Sequence, residues 1–335
     1  MQAKKKNRKN AKAQAEKRQA VDEDDAVLEA ALGEKQRLLT AIFVKKNVER
    51  PMSEPQARGR RAGGRSGNTQ RRGTRAIDQM PWRMIENVDR PTEPLNEEGV
   101  IAIHNGAIYI LENIGIEILN DEARQIFADA GCIVNGENVR FGCDFIMEMV
   151  AKAPSQFDMV PRNPDRTVTI GGNTLTFVNV SSPPNYYDIE FGKKVPGTRE
   201  QCQNLLKLSQ YFNCIHMVGG YPVEPVDVHA SVRHLDVLYD KLTLTDKVAH
   251  AYSLGKERVE DVMEMVRIAG GLTHEEFELQ PRMYTNINST SPLKHDIPML
   301  DGWIRLARRN QGLVVTPFTL AGAMAPVTMA GAVAQ

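Results

Sequence analysis

The feature that most constrains the fold is a regular alternation that begins at Thr174. Short apolar runs rich in β-branched residues alternate with segments of helical periodicity, at intervals of roughly 30 residues. Strands joined by helices must run parallel, because a helical crossover returns the chain to the same end of the sheet. The pattern therefore predicts an α/β fold made of βα units, with strands at about 174–180, 214–219, 247–252, 282–288 and 312–318.

The segments between these strands carry helix start signals. Residues 198–201 (Thr-Arg-Glu-Gln) have the pattern of a capping box, and Asp227 is suited to be the N-cap of the next helix. Apolar stripes within 259–269 and 297–307 predict two further amphipathic helices. Four helices thus separate the five predicted strands.

Two architectures fit this count of strands and helices, a barrel and an open doubly wound sheet. Neither a Gly-rich dinucleotide fingerprint nor a phosphate-binding loop follows any predicted strand. A barrel of eight βα units needs ~250 residues, whereas residues 174–335 number only 162. In the barrel interpretation, 171–335 is an incomplete β/α barrel that stops after about five units.

The region before the barrel is predicted to form a small helical α/β cap over residues 91–170. Its helices end at residues suited to terminate them, such as Gly115 and Pro154, and Asn135-Gly136 is a hairpin signal. The cap helices are expected at 96–115, 121–130 and about 144–153.

Residues 1–90 are predicted to form a disordered basic arm. Residues 1–75 hold 20 Lys and Arg against 9 Asp and Glu, although the whole chain has a formal charge of zero. The Gly/Arg-rich stretch 58–75 has almost nothing apolar to bury. Such a segment could contact phosphates, but it lacks interleaved aromatic residues and belongs to an acidic body. A solvated tail is therefore favoured over a nucleic-acid partner.

Other classes of site and location leave no pattern in this sequence. The cysteines lack the paired spacings of a zinc site and the density of a disulfide scaffold, and no HExxH motif occurs. No stretch approaches the ~20 apolar residues of a membrane span. We therefore expect no metal site, no membrane partner, a cytoplasmic location and reduced thiols at Cys132, Cys143, Cys202 and Cys214.

A family resemblance enters at residues 316–331, which read Thr-Pro-Phe-Thr-Leu-Ala-Gly-Ala-Met-Ala-Pro-Val-Thr-Met-Ala-Gly. With the supporting segments 162–166, 243–247 and 289–293, this stretch resembles the trimethylamine methyltransferase family, over roughly 58–335. The resemblance implies a TIM-type (β/α)8 barrel that moves a methyl group from a small methylated amine to the cobalt of a separate corrinoid protein. It implies that this chain binds no corrinoid itself. The partners would be the corrinoid protein and the amine.

The resemblance favours a quaternary amine such as a betaine over trimethylamine. Most family members lack pyrrolysine, whose position in the trimethylamine enzymes is expected beyond Gln335, and a quaternary nitrogen leaves as a neutral tertiary amine without an acid. No catalytic residue is assigned.

The cation is expected among aromatic faces and a carboxylate, on the loops that follow the strands. Packing at the base of a loop is the alternative interpretation for each single tyrosine. The candidate substrate-binding residues are Tyr186, Tyr187, Tyr221, Glu224, Tyr252, Asn286, Asn288, Ser291 and Phe318.

Two rival functions stay open at this point. One is another barrel enzyme, such as a lyase or a metal-dependent hydrolase, although no metal-ligand cluster or nucleophile–base pair is visible in the sequence. The other is a non-catalytic fragment of such a barrel. An unpaired strand edge favours aggregation or self-association, so homo-oligomers of this chain fit that interpretation.

Overall fold

The computed structural model describes residues 77–335, which contain fourteen strands and nine α-helices. Residues 1–76, the larger part of the predicted arm, lie outside the described residues. The strands are β1 (Ile85–Glu86), β2 (Ile116–Ile118), β3 (Ile133–Asn135), β4 (Asn138–Arg140), β5 (Gln156–Met159), β6 (Val168–Gly171), β7 (Thr174–Leu175), β8 (Asn185–Asp188), β9 (Lys193–Pro196), β10 (Met217–Val218), β11 (Val248–His250), β12 (Met283–Asn288), β13 (Lys294–His295) and β14 (Gly312–Thr316). The helices are α1 (Glu97–Tyr109), α2 (Asp121–Asp129), α3 (Cys143–Lys152), α4 (Arg199–Tyr211), α5 (Arg233–Leu244), α6 (Lys256–Gly270), α7 (His274–Leu279), α8 (Ile297–Arg308) and α9 (Met329–Ala334).

A four-stranded parallel sheet forms the centre of this fold. Its strands lie in the order β10-β11-β12-β14, and each pairs in parallel with the next. These are four of the five predicted strands, and α4, α5, α6 and α8 occupy the predicted connections. The mixed α/β class is confirmed. Among residues 77–335 the sheet is open, because no strand pairs with the outer edge of β14.

The first predicted strand, 174–180, is wrong over most of its length. Thr174 and Leu175 pair antiparallel with β1, and Val178 makes only a single parallel bridge to Met217 of β10. Beyond that bridge, side chains replace the backbone ladder. The N–H of Gly219 donates to Asn179 Oδ1 at 2.9 Å, and the N–H of Gly220 donates to a serine hydroxyl. These side chains, about 40 residues away in sequence, satisfy the backbone donors that a continuing strand would have paired.

Helices cover one face of the sheet and build its larger core. Leu238 of α5, Val262 of α6 and Leu306 of α8 are buried against Ala249 and Met283 of the strands. Burying an aliphatic side chain of this size stabilises the fold by about 1.5–3 kcal/mol. This face thus anchors the sheet.

One predicted helix cap belongs to a different helix. Helix α5 begins at Arg233, after Val232, rather than after Asp227. Asp227 Oδ1 instead accepts the backbone N–H of Arg199, the first residue of α4, at 2.9 Å. Thr198 caps the same helix as predicted, because its side chain accepts from the N–H of Gln201. The Asp227 prediction was right about capping chemistry and wrong about the partner.

The opposite face of the sheet is covered at its amino end by the β5–β6 hairpin. Met159 and Val168 of the hairpin are buried against Met217, Val248 and Tyr284 of the sheet. The hairpin therefore leaves only the carboxyl half of this face available for a site.

Residues 77–90 correct the predicted boundary of the arm. Trp82 and Met84 pack against the same cluster as the hairpin, and the carbonyl of Arg83 lies 3.0 Å from His216 Nε2. Asn213 Nδ2 also donates to the carbonyl of Met80 at 2.9 Å. The charge pattern of the arm obscured these apolar anchors, which give residues 77–90 a fixed place.

The three cap helices and the hairpin at Asn135-Gly136 are confirmed. Asn96 and Asn120 cap α1 and α2 with their side chains. The sheet of this region has the order β13-β2-β4-β3, so it includes a strand from outside the predicted cap. That strand, β13, directly follows β12, which links the cap sheet to the central sheet.

Three further predictions concern single features. The four cysteines are free thiols. No helix within 77–335 is long and apolar enough to cross a membrane. Val314 and Val315 of the edge strand β14 are 44% and 50% exposed. Part of the side-chain surface of β14 is thus apolar and open to solvent.

Helix α8 packs closely against the loop after β11 at Gly302. A Cβ at Gly302 would lie 1.7 Å from Ser253 Oγ and 2.7 Å from Ser253 Cβ, which no side-chain rotation can move. The Gly302→Ala variant is therefore expected to lower the free energy of unfolding by about 1–3 kcal/mol. Gly142→Ala is the control, since nothing lies within 4 Å of a Cβ there. Urea unfolding of both variants measures the difference, and equal stabilities would contradict this packing.

Candidate functional site

Four aromatic rings form a continuous row across the central strands, from Tyr284 near the start of β12 to Tyr221 in the loop after β10. Centroid distances are 4.7 Å from Tyr221 to Tyr252, 4.8 Å from Tyr252 to His250, and 4.9 Å from His250 to Tyr284. Each contact is edge-to-face, the geometry that aromatic pairs prefer. We call these four residues the aromatic row.

Strand register explains why the row forms. His250 of β11 and Tyr284 of β12 are paired residues in the parallel ladder, and both point to the face whose amino end the β5–β6 hairpin covers, where Tyr284 packs against the hairpin. Tyr252 lies two residues after His250, and Tyr221 follows β10. Because neighbouring parallel strands end at the same edge of a sheet, side chains distant in sequence meet there.

Gly220 allows the row to close. A Cβ at this position would lie 1.8 Å from the hydroxyl of Tyr252, so only glycine permits the approach. The same hydroxyl accepts the N–H of Tyr221 at 3.1 Å and is bonded to the hydroxyl of Ser182. The ring of Tyr252 is thus held between the loop that contains Ser182 and the loop that follows β10.

His250 is the most unusual member of the row. It is 2% exposed, and neither ring nitrogen has a hydrogen-bond partner among residues 77–335. Burial, with a smaller contribution from the charge of Lys241, holds the pKa of His250 well below its usual value, so the ring is neutral. Leaving such a group unpaired costs about 1–3 kcal/mol. A polar group kept in this state is a candidate for function.

Lys241 of α5 lies behind the row and is fully buried. Its Nζ donates to the carbonyl of His250 at 2.7 Å and lies 5.6 Å from the ring centroid of Tyr221. Burial lowers the pKa of Lys241 to about 7, only partly opposed by Cys202. The lysine therefore fixes the backbone of β11 at the point where the row crosses it.

The tyrosines of the row remain neutral phenols over the physiological range. Burial raises the pKa of Tyr252 to about 12, and it also raises the pKa of Tyr221 and Tyr284. With a neutral imidazole among them, none of the four side chains of the row carries a charge, although Lys241 Nζ lies 5.6 Å from the ring centroid of Tyr221. Such a surface suits a small, weakly hydrated cation.

The other predicted residues of the first two loops are placed differently. Tyr186 packs against the buried cluster that includes Tyr221 and Tyr252, whereas Tyr187 is 65% exposed. The two must differ because successive residues of a strand point to opposite faces, so the structure does not bring Tyr187 to the row. Glu224 forms an ion pair with Arg233, and its charge is already balanced.

The predicted residues of the later loops form a second group. Asn286 and Asn288 lie two and four residues after Tyr284, on the same face of β12, and Asn288 is exposed. The hydroxyl of Ser291 donates to the carbonyl of Phe318 at 2.8 Å, and Phe318 is half exposed. Ser291 and Phe318 thereby tie the loops after β12 and β14 together.

The sequence interpretation missed His250, Tyr284 and Lys241. His250 and Tyr284 fall within predicted strands, where they were taken as scaffold, although their spacing from Val248 and Met283 already fixed their faces. Lys241 stands beside the apolar residues Leu238 and Leu242 of an amphipathic helix. A lysine in an apolar stripe was the available signal for a buried cation.

The segments 162–166 and 243–247, which supported the family resemblance, lie at the amino ends of the strands. Asn163 Nδ2 donates to Asp246 Oδ2 at 2.8 Å, and Arg162 Nη2 donates to the carbonyl of Thr245 at 3.2 Å. Lys247 donates to the carbonyls of Ser209 and Phe212 near the end of α4. These contacts join the hairpin region to the base of the sheet, away from the row.

Metal ligation is the remaining chemistry to consider. Within the part of the chain that the structure describes, no three His, Cys, Asp or Glu side chains are grouped so that they could hold a metal ion. The candidate site is therefore defined by aromatic and amide groups.

Comparisons with known proteins connect this arrangement to a family. Residues 61–335 match the trimethylamine methyltransferase (MTTB) family. The chain is 32% identical over 237 residues to glycine betaine methyltransferase of Desulfitobacterium hafniense (strain Y51), covering 71% of this chain and 49% of that protein. It is 24% identical over 240 residues to trimethylamine methyltransferase MttB of D. hafniense (strain DSM 10664 / DCB-2), covering 70% of this chain and 48% of the relative.

A third relative, trimethylamine methyltransferase MttB of Methanosarcina thermophila, is 26% identical over 242 residues, which cover 70% of this chain and 50% of the relative. The chain spans about half the length of the curated relatives it matches. The family match extends over most of the sequence, including all strands of the central sheet and the whole aromatic row. The chain belongs to the trimethylamine methyltransferase family.

Proposed function

We propose that the protein transfers a methyl group from a small quaternary or tertiary amine, of the betaine type, to the cobalt of a separate corrinoid protein. The observation that carries the proposal is the aromatic row, which is buried and neutral and has three of its four members at or beyond the carboxyl ends of parallel strands. The named activities of the relatives, on glycine betaine and on trimethylamine, support an amine as methyl donor.

The row provides what a quaternary ammonium requires. Methylated ammonium groups are recognised by aromatic faces, and a desolvated contact of this kind contributes ~2 kcal/mol or more. Neutral phenols and a neutral imidazole add no positive charge that would repel the ligand. The unpaired ring nitrogens of His250 supply a polar contact to whatever group accompanies the ammonium, such as a carboxylate.

The reaction requires little acid–base catalysis by these residues. A quaternary nitrogen that loses a methyl group leaves as a neutral amine, so no side chain has to donate a proton. The reduced corrinoid, brought by its own protein, supplies the nucleophile that accepts the methyl group. The residues of this chain bind the amine, exclude water and align one methyl group with the incoming partner.

The proposal includes a closed TIM-type barrel, of which the central sheet forms the first part. Support comes from the sequential order of its parallel strands and from the helices on one face. Barrel enzymes of this type place their active sites at the carboxyl ends of the strands. Three of the four rings of the aromatic row lie at or beyond that end, and the β5–β6 hairpin covers the other end, where it contacts Tyr284.

The direct test is an assay of the intact protein with a reduced corrinoid protein and a panel of methylated amines. Methylation of the corrinoid is followed by its absorbance. A betaine is expected to be the best donor, because it combines a quaternary nitrogen with a group that His250 can bind. Absence of methyl transfer from every amine would contradict the proposed function.

Tyr252 is the member of the row whose replacement tests the location of the site. The Tyr252→Leu variant is expected to bind the amine several-fold to some tens of fold more weakly, since one cation–π contact of about 0.5–2 kcal/mol is lost. Titration of the amine against the intact protein measures the change. Tyr187→Leu is the matched control and should leave the affinity within about twofold, because that ring is exposed. If methyl transfer occurs but Tyr252→Leu binds normally, the function stands and the row is not the site.

A further inference from the structure

A cavity of about 180 Å³ lies at the other end of the central sheet, on the side that the helices cover. Ala249 of β11 lines it, whereas the next residue, His250, faces the aromatic row on the opposite side of the strand. The cavity is partly open to solvent and is lined by the segment 161–164, by the end of α5, by α6 and by the start of β12. It is therefore separate from the candidate methyl-transfer site.

One half of the cavity is apolar. Small or branched side chains from the sheet and two helices form this half, and none carries a polar group. A cavity of about 150 Å³ with walls of this type holds one benzene ring. The whole cavity, both halves together, is thus large enough for a compact molecule with the dimensions of a six-membered ring. The apolar wall consists of Leu242, Ala249, Val266, Ala269 and Leu272.

The other half of the cavity carries two guanidinium groups, from Arg162 and Arg282. Neither forms an ion pair with any residue in 77–335. Arg162 donates to the carbonyl of Thr245 at 3.2 Å, and Arg282 Nη1 reaches the carbonyl of Val160 only at 3.4 Å. Arg282 Nε is buried and has no acceptor among the described residues. Most of the ten donor hydrogens of the two arginines remain available.

The carboxylate nearest to these arginines is already engaged. Asp246 accepts hydrogen bonds from Asn163 and Gln210, at 2.8 Å each, and lies 3.7 Å from Arg166. Those bonds and Arg166 outweigh the effect of burial, which would raise the pKa of Asp246, and they lower it, so the group is ionised. Its single negative charge is offset by Arg166. Within 77–335, Arg162 and Arg282 therefore have no carboxylate partner of their own.

We propose that this cavity binds a small organic anion, a carboxylate on a compact apolar body of about the size of a benzene ring. The carboxylate would accept from Arg162 and Arg282, which offer the paired donors that planar anions prefer. The apolar body would lie against Val266 and Ala269 of α6. The ligand would sit directly behind the strand that carries His250.

Benzoate is the probe for this proposal, with benzamide as a neutral ligand of the same shape and inorganic phosphate as an anion without an apolar body. Calorimetric titration of the intact protein is expected to show benzoate binding at least tenfold tighter than benzamide or phosphate. Methyl resonances of Ala249 and Val266 should shift with the same concentration dependence. Those shifts locate the ligand in the cavity.

Three variants complete the test. Arg282→Gln and the more exposed Arg162→Gln should each weaken benzoate binding about tenfold or more, and Ala269→Phe should abolish it by filling the apolar half. Arg308→Gln is the control, because this arginine is exposed and pairs with Glu122. The proposal is overturned if benzoate does not bind, if benzamide or phosphate binds equally well, or if both cavity arginines can be replaced without effect. None of these outcomes depends on methyl transfer.

Discussion

Lys241 is expected to raise the free energy of unfolding of the intact protein by about 2 kcal/mol between pH 7 and pH 9, and Lys241→Met should lose that rise. Burial lowers the pKa of Lys241 from 10.5 to about 7 in the folded protein. Across this window the unfolded chain still holds a proton that the folded chain has released. Stability therefore increases with pH, and below pH 7, where both states are protonated, the increase stops.

Other titrating groups change the free energy of unfolding less than Lys241 does between pH 7 and pH 9. Burial raises the pKa of Cys202 to about 11, so its effect on stability begins above the ordinary thiol value of 9.0. Because the pKa of His250 is lowered, its protonation changes the free energy of unfolding only below about pH 6.5. Lys247, whose pKa burial and Arg166 lower to about 8, adds a smaller rise above pH 8. A Lys247→Met variant separates the two lysines.

Urea unfolding at intervals of pH measures the predicted slope. Lys241→Met also leaves the carbonyl of His250 without its donor, which should lower stability by about 1–3 kcal/mol at pH 9. The lost hydrogen bond lowers the free energy of unfolding by the same amount at every pH, whereas the lost titration removes its rise with pH. Lys152→Met, at an exposed position on α3, is the control and should keep the slope of the original protein. A slope in Lys241→Met equal to that of the original protein would show that this lysine is charged in the fold.

Gly220→Ala is expected to reduce methyl transfer by roughly 100-fold, because displacing a substrate-positioning group by about 1 Å can have an effect of that size. The new Cβ would lie 1.8 Å from the hydroxyl of Tyr252 and 2.4 Å from its Cζ. The ring must then move away from Tyr221 and His250, which breaks the row at its centre. This prediction rests on the proposed function.

The measurement is kcat/KM for the best amine, with far-UV circular dichroism and urea unfolding to confirm that the variant is folded. Gly106→Ala in α1 is the matched control, since a Cβ there makes only an ordinary contact at 3.7 Å. It should leave activity unchanged and slightly stabilise the helix. Activity within threefold of the original protein in folded Gly220→Ala would exclude Tyr252 as a substrate-positioning residue.

Most elements of the central sheet were predictable because their periodicity is strong. The strands β11, β12 and β14 and the helices α6 and α8 follow apolar patterns that local packing enforces. The prediction of a strand at 174–180 was wrong at its end because side chains, not the backbone, bond to the next strand's loop. The backbone N–H groups of Gly219 and Gly220 donate to the side chains of Asn179 and Ser181. Residue patterns do not show which distant backbone group such a side chain will meet.

The candidate site was predictable only in its location and in two of its four rings. Strand ends indicated where aromatic residues would converge, and Tyr221 and Tyr252 do so. Tyr187 did not, because the alternation of a short hairpin decided its direction, and Glu224 is balanced by Arg233. His250 and Tyr284 were hidden within strands, where sequence alone cannot distinguish a core residue from one that faces a site.

By itself, the sequence determined the α/β class, the strand and helix order, the cap elements and membership of a family, because each depends on patterns that are local or repeated. Only the tertiary structure decided the depth of His250, the burial of Lys241 and the close approach of Gly220 to Tyr252. These features arise from strand register and from helix packing over long sequence separations. Burial also sets the charge of each group, so the chemistry of the row could be read only after the chain had folded around it.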